Sequence, residues 1–148
     1  MFQITRQADY GLLLMTALAS HFPQGYISLR DLAEERRLPY RFLSKIILPL
    51  RKSGLVDAQE GMSGGYRLAR HPEEIHIRTI LEALGEDLML VRCGSGDKAC
   101  QSFCQCSARG FWHELQVQIN EILNHYTLAQ LVQKSVPAFK SNVLLNGF

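Results

Sequence analysis

"SLRDLAEERRLPYRFLSKIILPLRKSGLV", residues 28–56, carries two helical repeats separated by a short break. Ser28 followed three residues later by Asp31 is an N-terminal capping pattern, and Leu29, Leu32 and Ala33 give the first helix an apolar face. Leu38 and Pro39 mark the turn. The second helix places Leu43, Ile46, Ile47 and Leu50 on one side and Tyr40, Arg41, Ser44 and Lys45 on the other. Gly54 supplies its stop. Pro49 is a local misfit: within a helix it deletes the hydrogen bond to the Lys45 carbonyl at a cost of about 3 kcal/mol, so the helix is expected to bend there or end sooner.

Working outward, "LVDAQEGMSGGYRLA" holds two strand-like pieces, Leu55–Gln59 and Tyr66–Ala69, around a loop containing Gly61, Gly64 and Gly65. Upstream, Ala8, Leu12, Met15 and Ala19 recur at helical spacing between Thr5 and His21, and Pro23 and Gly25 then break the pattern. Three helices followed by a hairpin, with a tight turn between the second and third, assemble most economically as a winged helix-turn-helix. The predicted fold is mainly α: a winged helix-turn-helix domain over residues 1–75, then a long C-terminal dimerisation helix within residues 76–148. In that second part, Ile77, Ile80, Leu81 and Leu84 predict a linking helix ending at Gly85. A cysteine-rich loop covers 91–107. Beyond it, Trp112, Leu115, Ile119, Ile122 and Tyr126 step by three and four, the seam of a helix that pairs with a second copy. A short helix from Thr127 and a tail broken by Pro137 complete the chain.

The 148 residues, 47% hydrophobic and 20% charged, suffice for one proper core and exclude a disordered chain. A net charge of +2 gives no molecule-wide basic field, so any nucleic-acid surface must come from local clustering. The N-terminal apolar stretch is interrupted by polar residues, too short to span a bilayer and without the order of a secretion signal; a cytoplasmic protein with no membrane partner is expected. No nucleophile–base pair, phosphate loop or substrate-pocket signature is present, which argues against an enzyme.

In a helix-turn-helix the second helix enters the major groove, and its outward side chains must reach base edges or phosphates. Tyr40, Arg41, Ser44 and Lys45 suit that task, with Ser28 at the start of the preceding helix. Arg51, Lys52 and Arg67 are placed for phosphates. Ser63, Gly64, Gly65 and Tyr66 form a wing whose glycines permit close approach to DNA. A solvated basic face would use the same residues, but a wing and a dimer helix accompany this one, and a twofold dimer matches two half-sites.

All four cysteines lie between positions 93 and 106, with six, three and one residues between Cys93, Cys100, Cys104 and Cys106. This is neither the paired CxxC of a zinc ribbon nor the run of a bacterial ferredoxin. In a reducing compartment clustered thiols are metal ligands or redox switches, and a loop of several thiolates suits an iron-sulfur cluster first, with zinc or a thiol switch as the alternatives. His113 follows the loop as a surface or packing residue.

With these features in view, the chain resembles the IscR, NsrR and RirA family of winged-helix iron-sulfur transcription regulators. The matching stretches are "ADYGLLLM", "LRKSGLV", "SGGYRLA", the cysteine loop before Trp112, and "YTLAQLV", together spanning roughly residues 1 to 135. The resemblance implies a homodimer on pseudopalindromic double-stranded promoter DNA, with one cluster per subunit in the loop before the dimer helix. It maps three ligands onto Cys93, Cys100 and Cys106. Arg109 stands where the IscR-like branch has a ligand histidine, which argues against a 2Fe-2S site and favours 4Fe-4S. In the NsrR-like branch the fourth ligand is an acidic residue of the partner subunit's first helix, matched here by Asp9; Cys104 is the competing fourth ligand.

The function so implied is a cluster-dependent transcription regulator, acting as a repressor, that senses nitric oxide, redox state or iron-sulfur status. The alternatives are a cluster-free thiol-switch regulator, using Cys104 and Cys106 or another pair, and a winged-helix interaction or electron-transfer module with a structural metal.

Overall fold

A computed structural model describes residues 4–91 and 105–134. Helix α1, Arg6–Ser20, starts where the Thr5 hydroxyl oxygen accepts the Ala8 N–H at 3.2 Å. It is the centre of the molecule, packed against five other elements, so it buries more than one stripe: Ala8, Leu14, Met15, Ala17 and Leu18 are inaccessible, while Leu12 and Ala19 are half-buried.

Helix α2, Leu29–Arg36, is capped as its sequence predicts, the Ser28 Oγ accepting the Asp31 N–H at 3.0 Å. Its end is made by Arg37 in the left-handed region at φ 53°, after which the Leu38 N–H returns to the Ala33 carbonyl at 2.8 Å. Helix α3 runs from Tyr40 to Lys52 and buries Leu43, Ile46, Ile47 and Leu50. It continues through Pro49, so the expectation of an earlier end is corrected. The carbonyl that loses its partner belongs to Lys45, an exposed residue, and water can serve it there. Gly54, at φ 74°, then turns the chain, with the Leu55 N–H donating to the Leu50 carbonyl.

Strands β1, Val56–Gln59, and β2, Gly65–Leu68, pair antiparallel with Val56 opposite Leu68 and Gln59 opposite Gly65. Each is trimmed or shifted by one residue from the sequence-based bounds, although Ala69 still donates to the Leu55 carbonyl at 3.0 Å. The hairpin has a third partner that no local pattern announces. Ile27 exchanges two backbone hydrogen bonds with Tyr66, at 3.0 and 2.8 Å, and fastens the wing to the residue before the α2 cap.

After a short 3₁₀ turn at Pro72–Glu74, helix α4, Ile77–Ala83, buries Ile77, Ile80 and Leu81 and stops at Gly85, φ 76°. Helix α5, Arg109–His125, is the longest element, and none of its residues is buried. Helix α6, Leu128–Lys134, starts with a reciprocal cap: Thr127 Oγ1 accepts the Gln130 N–H and Gln130 Oε1 accepts the Thr127 N–H. Leu128 is fully buried, and α6 packs on α1, so the chain beyond residue 75 returns to the core begun by the first three helices. Among the described residues, no helix is long and apolar enough to cross a membrane.

Candidate nucleic-acid interface

Helix α3 carries no acidic residue. At 100° per residue, Arg41, Ser44, Lys45, Leu48 and Lys52 fall on one stripe opposite the buried Leu43, Ile46, Ile47 and Leu50. Arg41, Lys45, Arg51 and Lys52 are exposed, and none enters an ion pair among the described residues. Four solvated cations on a helix without counter-charges make a surface suited to phosphates. Ser44 is half-committed: its hydroxyl donates to the Arg41 carbonyl at 2.9 Å, leaving it an acceptor toward solvent.

The start of α3 adds two features. Pro39 offers no side-chain cap, so the N–H groups of Tyr40 and Arg41 remain open at the positive end of a 13-residue helix. Arg30, the second residue of α2, holds its guanidinium 5.9 Å from the centroid of the Tyr40 ring. A cation braced over an exposed aromatic ring at a helix N-terminus is placed for a backbone phosphate. Arg30 is absent from the sequence-based set because nothing local distinguishes it from any surface arginine of α2; only the fold brings it to Tyr40.

On the wing, Ser63 is exposed and Tyr66 half-buried. Arg67 is not an unencumbered cation: Nη2 lies 3.6 Å from Asp57 Oδ2, and the guanidinium sits 4.6 Å from the Tyr26 ring centroid. The glycines are required first by the protein itself. A Cβ on Gly65, φ 145°, would stand 2.2 Å from the Ile27 carbonyl oxygen, and one on Gly64 would stand 2.2 Å from that of Gln59.

The second candidate region is the base of the cysteine loop. Cys106 is an exposed free thiol, whereas Cys93, Cys100 and Cys104 lie outside the described residues. Among the described residues no group of three or more metal-ligating side chains is assembled. Asp9 is exposed in the first turn of α1, and its carboxylate enters no ion pair or side-chain hydrogen bond among the described residues. The segment leading into the loop is tied down on two sides. The Thr5 hydroxyl donates to Glu86 Oε1, and Gln7 Nε2 donates to the Leu84 carbonyl at 3.1 Å. On the other side Gln116 of α5 donates to the Leu88 carbonyl at 2.9 Å, while its Oε1 accepts the Leu90 N–H at 2.7 Å. Sequence reading missed Gln116, since one polar residue on an amphipathic helix has no local signature.

The seam residues of α5 divide. Leu115 and Ile119 are half-buried, whereas Trp112, Ile122 and Tyr126 are exposed, and Phe111 and Val117 widen the apolar surface beside them. His113 stays exposed.

Residues 4–134 match the family model "Rrf2: Iron-dependent Transcriptional regulator". The HTH-type transcriptional regulator IscR of Serratia proteamaculans is 32% identical over 130 residues, covering 88% of this chain and 79% of that one. Among solved structures, CymR, described as the global cysteine regulator of B. subtilis, superposes with a TM-score of 0.77 at 27% identity, covering 91% of this chain and 99% of the other. IscR of T. potens gives 0.71 at 30% identity, covering 89% and 87%. A match across nearly the whole described chain, on a winged helix with an uncompensated cationic recognition helix, places this protein in the Rrf2 family of helix-turn-helix, DNA-binding transcriptional regulators, not among enzymes.

Proposed function

We propose that the chain is an iron-sulfur-dependent repressor that binds pseudopalindromic promoter DNA as a homodimer and responds to nitric oxide, redox state or iron-sulfur status. The observation that carries the reading is the acid-free, unpaired cationic stripe of α3 in a chain whose cysteines are gathered in one loop between α4 and α5. Residues 1–75 serve DNA and residues 76–148 serve the cluster and the dimer. Tyr40, Arg41, Ser44 and Lys45 face the bases. Arg51, Lys52 and Arg30 hold phosphates, with Ser28, Ser63, Gly64, Gly65, Tyr66 and Arg67 completing the contact from the α2 start and the wing. Trp112, Leu115, Ile119, Ile122 and Tyr126 meet the same surface of a second copy; the exposure of three of these apolar side chains supports that assignment.

The donor set suits the cofactor: soft thiolates are iron-sulfur ligands, and the Cys106 thiol is accessible. Cys93, Cys100 and Cys106, with the partner subunit's Asp9 or with Cys104, would hold a 4Fe-4S cluster. When bound, it supplies a centre that oxidants and nitric oxide can attack. The protein's part is mechanical: Gln116, Gln7 and Thr5 anchor the residues before the loop to α5 and α1, so a change in the loop is felt by both.

The test is iron and acid-labile sulfide content, with the visible spectrum, on protein purified without oxygen, followed by titration of duplex DNA before and after nitric oxide. Comparable iron and sulfide, bands that bleach with nitric oxide and a parallel change in sequence-selective binding are expected. Colourless protein that still binds DNA selectively would refute cluster dependence. A second reading has its own support in the exposed, unpaired Cys106: a thiol switch, whose iron-free form would change DNA affinity on exposure to peroxide.

A further inference from the structure

At the centre of the cationic stripe stands an apolar side chain. Leu48 lies three residues after Lys45, four after Ser44, seven after Arg41 and four before Lys52, so all four polar residues flank it on one helix face. It is 57% exposed, and with Lys45, Pro49, Arg51 and Lys52 it lines a shallow surface cleft. A single exposed leucine ordinarily needs no explanation. This one lies within about 30° of the point on the recognition helix opposite the buried Leu43, Ile46, Ile47 and Leu50, on the stripe shared by Arg41, Lys45 and Lys52. A lysine, serine or asparagine there would be cheaper in water and would serve phosphates better.

The cations around it select a polyanion, and within the major groove of duplex DNA one apolar group is on offer, the C5 methyl of thymine. Building on the DNA-binding role proposed above, we propose that Leu48 is a specificity-determining residue that reads a thymine methyl in the operator half-site. Its place on the helix also sets where that thymine lies. Seven residues at 1.5 Å separate Leu48 from Arg41 by about 10 Å along the helix axis. With base pairs stacked 3.4 Å apart, that distance spans at most about three steps from the base pair read by Arg41, for which guanine is the matching partner.

The experiment selects binding sites for the intact protein from a random duplex pool, then measures affinity for the selected site with each thymine replaced in turn by deoxyuridine, which lacks only the methyl. Wild-type protein is expected to lose about fourfold in affinity at one thymine per half-site, the value of one buried methyl group. Leu48→Ala, which alters both subunits, should bind the thymine site about as weakly as wild type binds a site with that thymine replaced in both half-sites, and should no longer distinguish the two. Leu48 is exposed, so the variant should fold; equal melting temperatures would confirm that a change in affinity is not lost structure. Selection of a defined site with no thymine-to-uracil effect, or a fourfold effect that persists in Leu48→Ala, overturns the role of Leu48 while leaving DNA recognition intact. Recovery of no preferred sequence overturns both.

Discussion

Replacing Gln116 with alanine removes the side chain that joins α5 to the residues leading into the cysteine loop. Its amide makes two bonds with backbone, donating to the Leu88 carbonyl and accepting from the Leu90 N–H, and a third with Asn120 Oδ1 at 3.2 Å. A typical hydrogen bond contributes about 0.5–1.5 kcal/mol net, so losing the two backbone bonds should weaken closure of this segment by about 1–3 kcal/mol. At 1.36 kcal/mol per decade this is a roughly five- to 150-fold rise in the population that is open. The Leu90 amide is a direct reporter, because its proton sits on the bond being removed.

Hydrogen exchange followed residue by residue should therefore show Leu90 losing protection by that factor in Gln116→Ala. The Tyr66 amide, bonded to the Ile27 carbonyl in the wing, should change little, because it lies in a different part of the fold. Gln116→Glu should fall between the two proteins: it keeps an acceptor for Leu90 but sets an oxygen against the Leu88 carbonyl. Unchanged exchange at Leu90 would refute the tie. An equal rise at Leu90 and Tyr66 would show that Gln116 supports the whole fold and not this segment.

Gly65→Ala forces a Cβ against the Ile27 carbonyl at a φ of 145°, so the two Ile27–Tyr66 bonds must open; at about 2–5 kcal/mol for bonds and strain together, the melting temperature should fall by about 5–15 °C, and a shift under about 2 °C would contradict the packing described. Arg30→Ala should lower the slope of log affinity against log salt by about two units in the proposed dimer, one phosphate contact per subunit, while leaving sequence preference unchanged; an unaltered slope would remove Arg30 from the interface. Ile122→Glu places a charge on the exposed seam of α5, where Ile122 is 55% accessible, and light scattering should find a folded monomer; a persistent dimer would mean that α5 pairs through another face or not at all.

The recognition helix was legible because it is governed by a local rule. The 3.6-residue repeat separates Leu43, Ile46, Ile47 and Leu50 from the cations, and Ser28 and Gly54 punctuate the pair of helices by their own backbone and side-chain chemistry. Features that depend on distant chain were not legible. The Ile27 bridge needs the wing to fold back onto the α2 start, Arg30 needs Tyr40 beside it, and Arg67 meets Asp57 and Tyr26 only once the hairpin has closed. Four residues at helical spacing understated α1, because a helix surrounded by neighbours buries most of its circumference and no longer shows a narrow stripe. Pro49 misled in the opposite direction: the general cost of a helical proline was correct, but the orphaned carbonyl it creates lies beside exposed Lys45, where solvent removes much of the penalty.

A regulator needs more than two sites on one chain; its signal must change the relative free energies of two arrangements that differ in DNA affinity. Helix α1 is the element through which that difference can pass. Its first turn carries Asp9 and the Thr5 and Gln7 ties to Glu86 and Leu84, and its body packs directly on α3, whose outer face holds Arg41, Lys45 and Leu48. Gly11 makes the junction close. It is buried in α1 where the Leu84 side chain would lie 2.3 Å from an added Cβ, so the end of the Leu84 side chain packs directly on the α1 backbone. A displacement of residues 84–90 would thus reach the α1 backbone through the Leu84 side chain. The Gln116 tie applies the same displacement to α5, the helix proposed above to meet a second copy. In the dimer proposed above, one shift of residues 84–90 would then reach both the seating of each recognition helix and the separation between the two.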